Sequence, residues 1–220
     1  MTAAGGSSGA LERRRRAAEA GDPEGYRSKQ REVVRVAAEV FQEKGFNSAT
    51  LRDVADGLGM DRATLYLYID SKDELLRAIV EQLVLDLADE VRRIAAGPRT
   101  AAEKLGQVIH AIMDTYASNR PFAFVFLNEH TALRAGSADW MGRLDDTTAD
   151  IQLRTEAIID DGMRRGEFRA DIPARLIAHT LFGMTNWSYR WFKPGDQYSG
   201  EVVGESFARL LLNGLTERAP

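Results

Sequence analysis

Apolar residues along the chain return at helical steps between short polar breaks, and no paired segments show the two-residue alternation of half-buried strands. From Tyr26 onward, Val33, Ala37, Val40 and Phe41 recur at three- and four-residue steps, and Gly45 stands where a C-terminal cap would end a helix. Thr50 followed by Asp53 predicts a capped second helix with Leu51, Val54, Ala55 and Leu58 on its apolar side, closed by Gly59. Asp61 then caps a third segment, 62–68, whose Leu65 and the following Ile69 face the first two helices. Two short helices joined by a tight glycine-containing turn make a helix-turn-helix.

Ser71 and Glu74 form a further capping box, with the glutamate reaching back to the cap. They open a long helix with Leu75, Ile79, Leu83, Leu87, Val91 and Ile94 on one face, stopped by Gly97-Pro98. Thr100 with Glu103 starts another helix through Tyr116, and Asn119-Arg120-Pro121 marks a break. Segments 122–133, 137–165, 173–192 and 198–215 read as four more helices. The pattern predicts an all-α chain without an internal repeat, organised as a three-helix head over 26–72 and a helical C-terminal domain over 73–220.

Composition narrows the chemistry. With 220 residues the chain can bury a sizeable core without staples, and with no cysteine it can hold no disulfide, thiolate metal site or thiol nucleophile. A reducing cytoplasm is the expected setting. No apolar stretch approaches the roughly 20 residues that span a bilayer, and nothing at the start has the order of a signal peptide. The net charge of −4, from 29 Lys and Arg against 33 Asp and Glu, excludes nucleic-acid binding through bulk positive charge, so any DNA site is local. Residues 1–25 are expected to be a mobile basic arm, because Met1 to Gly9 is Gly, Ser, Ala and Thr, and Gly21-Asp22-Pro23 interrupts any helix. Its run Arg13, Arg14, Arg15 and Arg16 fits either a contact to DNA phosphates or a solvated tail.

The stretch Gly45-Phe46-x-x-Ala49-Thr50-Leu51-Arg52-Asp53-Val54-Ala55-x-x-Leu58-Gly59-Met60-x-x-Ala63-x-Leu65-Tyr66-x-Tyr68-Ile69-x-Ser71-Lys72-Asp73-x-Leu75 resembles the DNA-binding domain of the TetR family of bacterial transcriptional regulators. The resemblance covers about residues 28–83. It departs from the family at Tyr68, where histidine is common, at Ile69, where phenylalanine is common, and at Asp61, often serine or threonine there. A recognition helix enters the major groove by its N-terminal end, which assigns base contacts to Arg62, Ala63 and Thr64, with Arg62 the candidate for a guanine edge. The resemblance implies phosphate contacts from Thr50, Tyr66, Tyr68 and Lys72. Arg27, Lys29 and Arg31 at the head add local positive charge. For Tyr66 core packing of the ring is the alternative.

Family members dimerise through their last two helices, here about 173–192 and 198–215, and the apolar positions of both exceed one amphipathic stripe. The segment Gly183-Met184-Thr185-Asn186-Trp187-Ser188-Tyr189-Arg190-Trp191-Phe192 resembles that of TetR regulators of fatty-acid or steroid breakdown that answer to acyl-CoA thioesters. An arginine among aromatic rings suits such a ligand; equally, Trp187 and Trp191 fit a dimer seam, with Arg190 paired to a carboxylate. Met113, Phe122 and Phe126, with Asn186, Trp187 and Arg190, are the candidate effector contacts. His110, His130 and His179 lack the spacing of metal ligands, and no metal or cofactor is expected. No nucleophile with a base, phosphate-cradling loop or carboxylate cluster occurs, so an enzyme is not expected. The expected function is that of a homodimeric repressor, released from palindromic operator DNA by a hydrophobic effector such as a fatty acyl-CoA. The alternatives are a regulator answering to drugs or other small ligands and, further off, a helical small-molecule-binding enzyme.

Overall fold

The computed structural model describes residues 5–128, 138–193, 195 and 197–216, with side chains described from Arg13 onward except those of 138, 139 and 141. The first element departs from expectation. Residues Gly5–Gly21 form a helix, α1, rather than a mobile arm, and only Asp22 separates it from α2 (Pro23–Lys44). The break is a capping event: the Asp22 carboxylate accepts the Gly25 amide at 2.9 Å, and Pro23, which has no N–H to lose, takes the first helical position.

α2 buries Val33, Ala37 and Phe41 and stops at Gly45, whose φ of 76° is open to glycine at little cost. α3 (Leu51–Gly57) carries the expected Thr50–Asp53 capping box. The turn after it passes through Gly59 at φ 64° into α4 (Arg62–Leu65), capped by Asp61. α4 is shorter than the expected 62–68. Beyond Leu65 the chain tightens to three-residue hydrogen bonds, with the Leu67 amide on Thr64 and that of Tyr68 on Leu65. The Leu67 carbonyl accepts instead from the Tyr26 hydroxyl at 2.9 Å and from Arg15 Nε at 3.1 Å, which frees residue 71 to cap the next helix.

α5 (Lys72–Ala96) is continuous across the expected boundary at 72/73 and is roughly 37 Å long at 1.5 Å per residue. Its Ser71 cap accepts the Glu74 amide as expected, but Glu74 reaches back to the amide of Asp70, one residue beyond the cap. α6 (Ala101–Ser118) begins at the Thr100–Glu103 capping box. α7 (Arg120–Asn128) takes in Arg120 and Pro121, so the break expected over 119–121 falls at Asn119 alone; positions 129–133 of that expected helix lie outside the described residues. α8 (Ala138–Arg164), α9 (Ala174–Trp187), a single 3-10 turn (Ser188–Arg190) and α10 (Gly200–Leu215) complete the chain.

α10 lies along α6, α8 packs on α5, α6 and α9, and α7 sits against both α2 and α5. One connected apolar core therefore runs from Phe41 and Leu65 in the head, along Leu75, Ile79, Leu83 and Val91 of α5, to Leu105, Ile109 and Ile159. Among the described residues the fold is all-α, and no helix is long and apolar enough to cross a membrane.

Candidate nucleic-acid interface

The head exposes Thr50 and Arg52 at the start of α3 and Asp61, Arg62 and Ala63 at the start of α4. Thr50 is exposed at the N-terminus of α3, where its hydroxyl donates to Asp53 Oδ2 at 2.7 Å and accepts the Asp53 amide at 3.2 Å. The Lys44 ammonium reaches Asp53 Oδ1 at 2.6 Å. First Lys44 and then Thr50 hold the Asp53 carboxyl well below the usual carboxylate range. Because the folded value is the depressed one, this contribution to stability is complete above the ordinary carboxylate range and is lost as pH falls through the folded value. Asp53→Asn is therefore expected to lower head stability at neutral pH and to flatten its acid limb below pH ~4, as checked by denaturant titrations from pH 7 to pH 2.

Asp61 caps α4 through the Thr64 amide at 2.8 Å and also accepts the Thr64 hydroxyl at 2.9 Å, and these bonds lower its own carboxyl. Of the three residues expected to read bases, Thr64 is thus tied to the cap, while Arg62 and Ala63 are exposed. The Arg62 guanidinium lies against Tyr66, donating to its phenol oxygen from Nη2 at 2.7 Å and from Nε at 3.2 Å. The phenol proton remains free to donate outward, and a cation on its oxygen makes it the stronger donor.

The remaining phosphate candidates divide. Arg27 is exposed, and Lys29 is paired with Glu32 at 2.7 Å. Tyr68 is half-buried, its ring packed on Tyr26 with centroids 5.2 Å apart in the margin of the core. Lys72 is turned inward. Its ammonium donates to the carbonyls of Phe46, Ala49 and Asn47 at 2.7, 3.0 and 3.3 Å, and lies 4.5 Å from the Phe46 ring centroid.

Two further residues shape the interface without a motif to announce them. Arg15 pairs with Asp70 at 2.7 Å while bonding Leu67, and Tyr26 joins it on the same carbonyl, so α1 and α2 together pin the exit of α4. The arginine run was legible as charge; which of the four turns inward depends on the helical phase of α1.

The effector candidates divide between the core and the surface. Met113 is fully buried and receives the Ser188 hydroxyl at 3.6 Å, and Asn186 accepts the hydroxyl of buried Tyr116 at 2.7 Å. Burial raises the Tyr116 phenol well above its ordinary value, which keeps it a neutral donor. Phe122 and Phe126 on α7 are half-buried against the same core. Trp187, by contrast, is 59% exposed, and Arg190 stacks outside on it at 4.5 Å and on Tyr189 at 5.5 Å. A separate open groove of about 780 Å³ between α5 and α6 is lined by Asp86, Asp89, Glu90, Asp114, Arg93 and His110, a lining that opposes an anionic thioester. His110 faces Glu205 at 3.5 Å, His179 is exposed, and His130 lies outside the described residues.

With this geometry in place, comparison with known proteins decides the family. Residues 33–79 match the model described as bacterial regulatory proteins, tetR family, and residues 98–215 match the tetracyclin repressor-like C-terminal domain. The chain belongs to the TetR family. As a TetR-family protein it is a transcriptional regulator rather than an enzyme. The HTH-type transcriptional repressor KstR2 of Mycobacterium tuberculosis is 25% identical over 190 residues, covering 86% of this chain and 94% of that protein. The structure of that protein, a ketosteroid transcriptional regulator, superposes with a TM-score of 0.81 at 23% identity over 86% of this chain and 96% of the other. AibR, solved with isovaleryl coenzyme A and operator DNA, shares the fold at a TM-score of 0.72 and 20% identity, covering 83% of this chain and 97% of AibR.

Proposed function

We propose that this TetR-family regulator is a cytoplasmic homodimeric repressor that binds a palindromic operator and is released by a hydrophobic effector such as a fatty acyl-CoA. The observation that carries the DNA half is the pair Arg62 and Tyr66 at the two ends of a capped α4, the exposed guanidinium donating to the phenol oxygen of the half-buried ring. In a dimer, two such helices roughly 34–36 Å apart would enter successive major grooves. Arg62 and Ala63 then meet base edges, and Thr64 does so by exchanging its bond to Asp61. Thr50, Tyr66, Arg27 and Lys29 hold phosphates.

Dimerisation is supported by where the exposed apolar side chains lie. Among the described residues, Leu176, Trp187, Trp191, Tyr198, Val202 and Leu210 belong to α9, α10 or the connection between them, against Leu85 on α5 and Leu153 on α8, and the head contributes none of comparable exposure. The effector half is supported by the named repressors among the relatives, by the coenzyme A thioester bound in AibR, and by α7. That helix carries Phe122 and Phe126 and packs on both α2 and α5, so a ligand wedged beside it presses on the head. Release requires the ligand to favour the conformer that does not bind the operator, since equal affinity for both shifts nothing.

Selection of random duplex DNA by the purified protein, repeated with palmitoyl-CoA, tests both halves. An enriched palindrome that disappears with the thioester is expected. A palindrome that persists removes this effector class, and no enrichment removes the operator reading. Arg62→Ala is expected to relax preference at one base pair per half-site, at about 1–3 kcal/mol. Tyr66→Phe should weaken all sequences alike, and an unchanged preference profile in the first variant takes Arg62 out of the reading set.

A further inference from the structure

α1 is a poor helix by composition, with three glycines in its first five residues, and an isolated helix of 17 residues is marginal in water. Its order comes from the head. Arg15 is its inward side chain, 21% exposed: Nε donates to the Leu67 carbonyl at 3.1 Å and Nη1 to Asp70 at 2.7 Å. Tyr26 of α2 donates to the same carbonyl at 2.9 Å. Because side chains eleven positions apart meet on one atom, α1 folds back across the residues that follow α4 instead of projecting into solvent. The helical phase that turns Arg15 inward, together with half-buried Ala18, leaves Arg13, Arg14 and Arg16 exposed.

The head itself is short of such charge. Over 26–72 eight Lys and Arg stand against seven Asp and Glu, and Lys29, Arg35 and Lys44 are paired with Glu32, Glu39 and Asp53. Arg15 also cancels the charge of Asp70 beside the exit of α4. Past α1 the exposed basic surface continues at Arg27 and Arg31, one turn apart at the start of α2. We propose that α1 is an ordered phosphate clamp: Arg15 docks it, and Arg13 and Arg14 bind backbone phosphates of the duplex beyond each half-site. Docked at the exit of α4, it stands to the side of the groove that the other end of α4 enters, so the phosphates within its reach lie past the base pairs under α4. The inference rests on the operator-binding reading of the head, and duplexes of two lengths tell the failure of one from the failure of the other.

The selected palindrome is compared as a duplex ending at its own edges and as one carrying a further helical turn, about ten base pairs, on each side. The parent is expected to bind the longer duplex about tenfold more tightly at low salt. Arg13→Gln with Arg14→Gln should remove that gain and lower the slope of log K against log salt on the longer duplex by about 3.6, for two contacts per protomer of a dimer. The short duplex should be bound as by the parent, with unchanged base preference. Neutral methylphosphonate linkages in the flanks should act on the parent as the double substitution does. Arg15→Met keeps the stem and loses both donors; amide exchange over α1 in the DNA-free protein is expected to quicken, and the flank gain to fall although Arg13 and Arg14 remain. Equal affinity of the parent for the two lengths overturns the clamp, as does a flank gain that survives the double substitution. A flank gain and an exchange rate that both survive Arg15→Met overturn the docking. A protein that binds neither length overturns the operator reading, and the clamp with it.

Discussion

Phe41→Ala is expected to destabilise the head by about 3–5 kcal/mol and to abolish operator binding at temperatures where the parent protein still binds. Phe41 is fully buried on α2 and meets Phe46 edge-on, ring centroids 5.2 Å apart. Removing the ring takes away its transfer free energy and leaves a cavity between α2 and the connection to α3, because helices fixed by Leu65, Ile69 and Leu75 cannot collapse fully into it. The functional loss exceeds what an equal cavity elsewhere would cause. Phe46 lies between Phe41 and the Lys72 ammonium, so the void loosens the residues that place α3. Denaturant titration followed by a probe in the head, beside Phe41→Leu as the milder control, measures the effect. A Phe41→Ala protein within 1 kcal/mol of its parent would remove Phe41 from the centre of this core.

The fold was legible where one residue type decides a local conformation. Gly45, Gly59 and the caps at Thr50, Asp61, Ser71 and Thr100 all act within a few residues, and each structural counterpart lies where the sequence pattern puts it. What the sequence concealed depends on partners far along the chain. α1 looks like a tail because its Gly- and Ser-rich start and the Gly21-Asp22-Pro23 break argue against a helix, but Arg15 finds Leu67 and Asp70 more than fifty positions away. The length of α4 follows from the same cause. Tyr26 and Arg15 supply donors to the Leu67 carbonyl, and no local pattern announces them.

The candidate site divides along the same line. Arg62, Ala63 and Thr64 were locatable from a cap and a helix start, and two of the three stand exposed. Lys72 and Tyr68 were assigned phosphate roles by resemblance, which carries positions but not the partners a side chain finds among this chain's own neighbours. The Tyr26 ring draws Tyr68 into the margin of the core, and the carbonyls of 46, 47 and 49 draw Lys72 inward. Among the effector candidates, spacing could group Trp187 with Asn186, yet neighbours on a helix project about 100° apart. Asn186 accordingly turns in to Tyr116, while Trp187 faces out.

Leu210→Arg is expected to convert the proteins in solution to monomers and to weaken operator binding by about 10²–10⁴-fold, with the helical content unchanged. Leu210 is 69% exposed on α10, so an arginine there meets no strain within the protomer. Val202, Ser206 and Leu210 follow one another at four-residue steps on the outer side of α10; Leu176, Thr180, Gly183 and Trp187 follow at three- and four-residue steps on α9, and all seven are exposed. In the proposed two-fold dimer each substitution also enters twice, placing a charge in an apolar seam from both sides. Each head then binds its half-site alone, without the local concentration that the tether supplies, which is the source of the large loss. Sedimentation at micromolar concentration, paired with operator titration, separates the outcomes. A dimer that survives with parent-like affinity means that the seam lies elsewhere, whereas a monomer that still binds tightly means that a single head suffices for the operator.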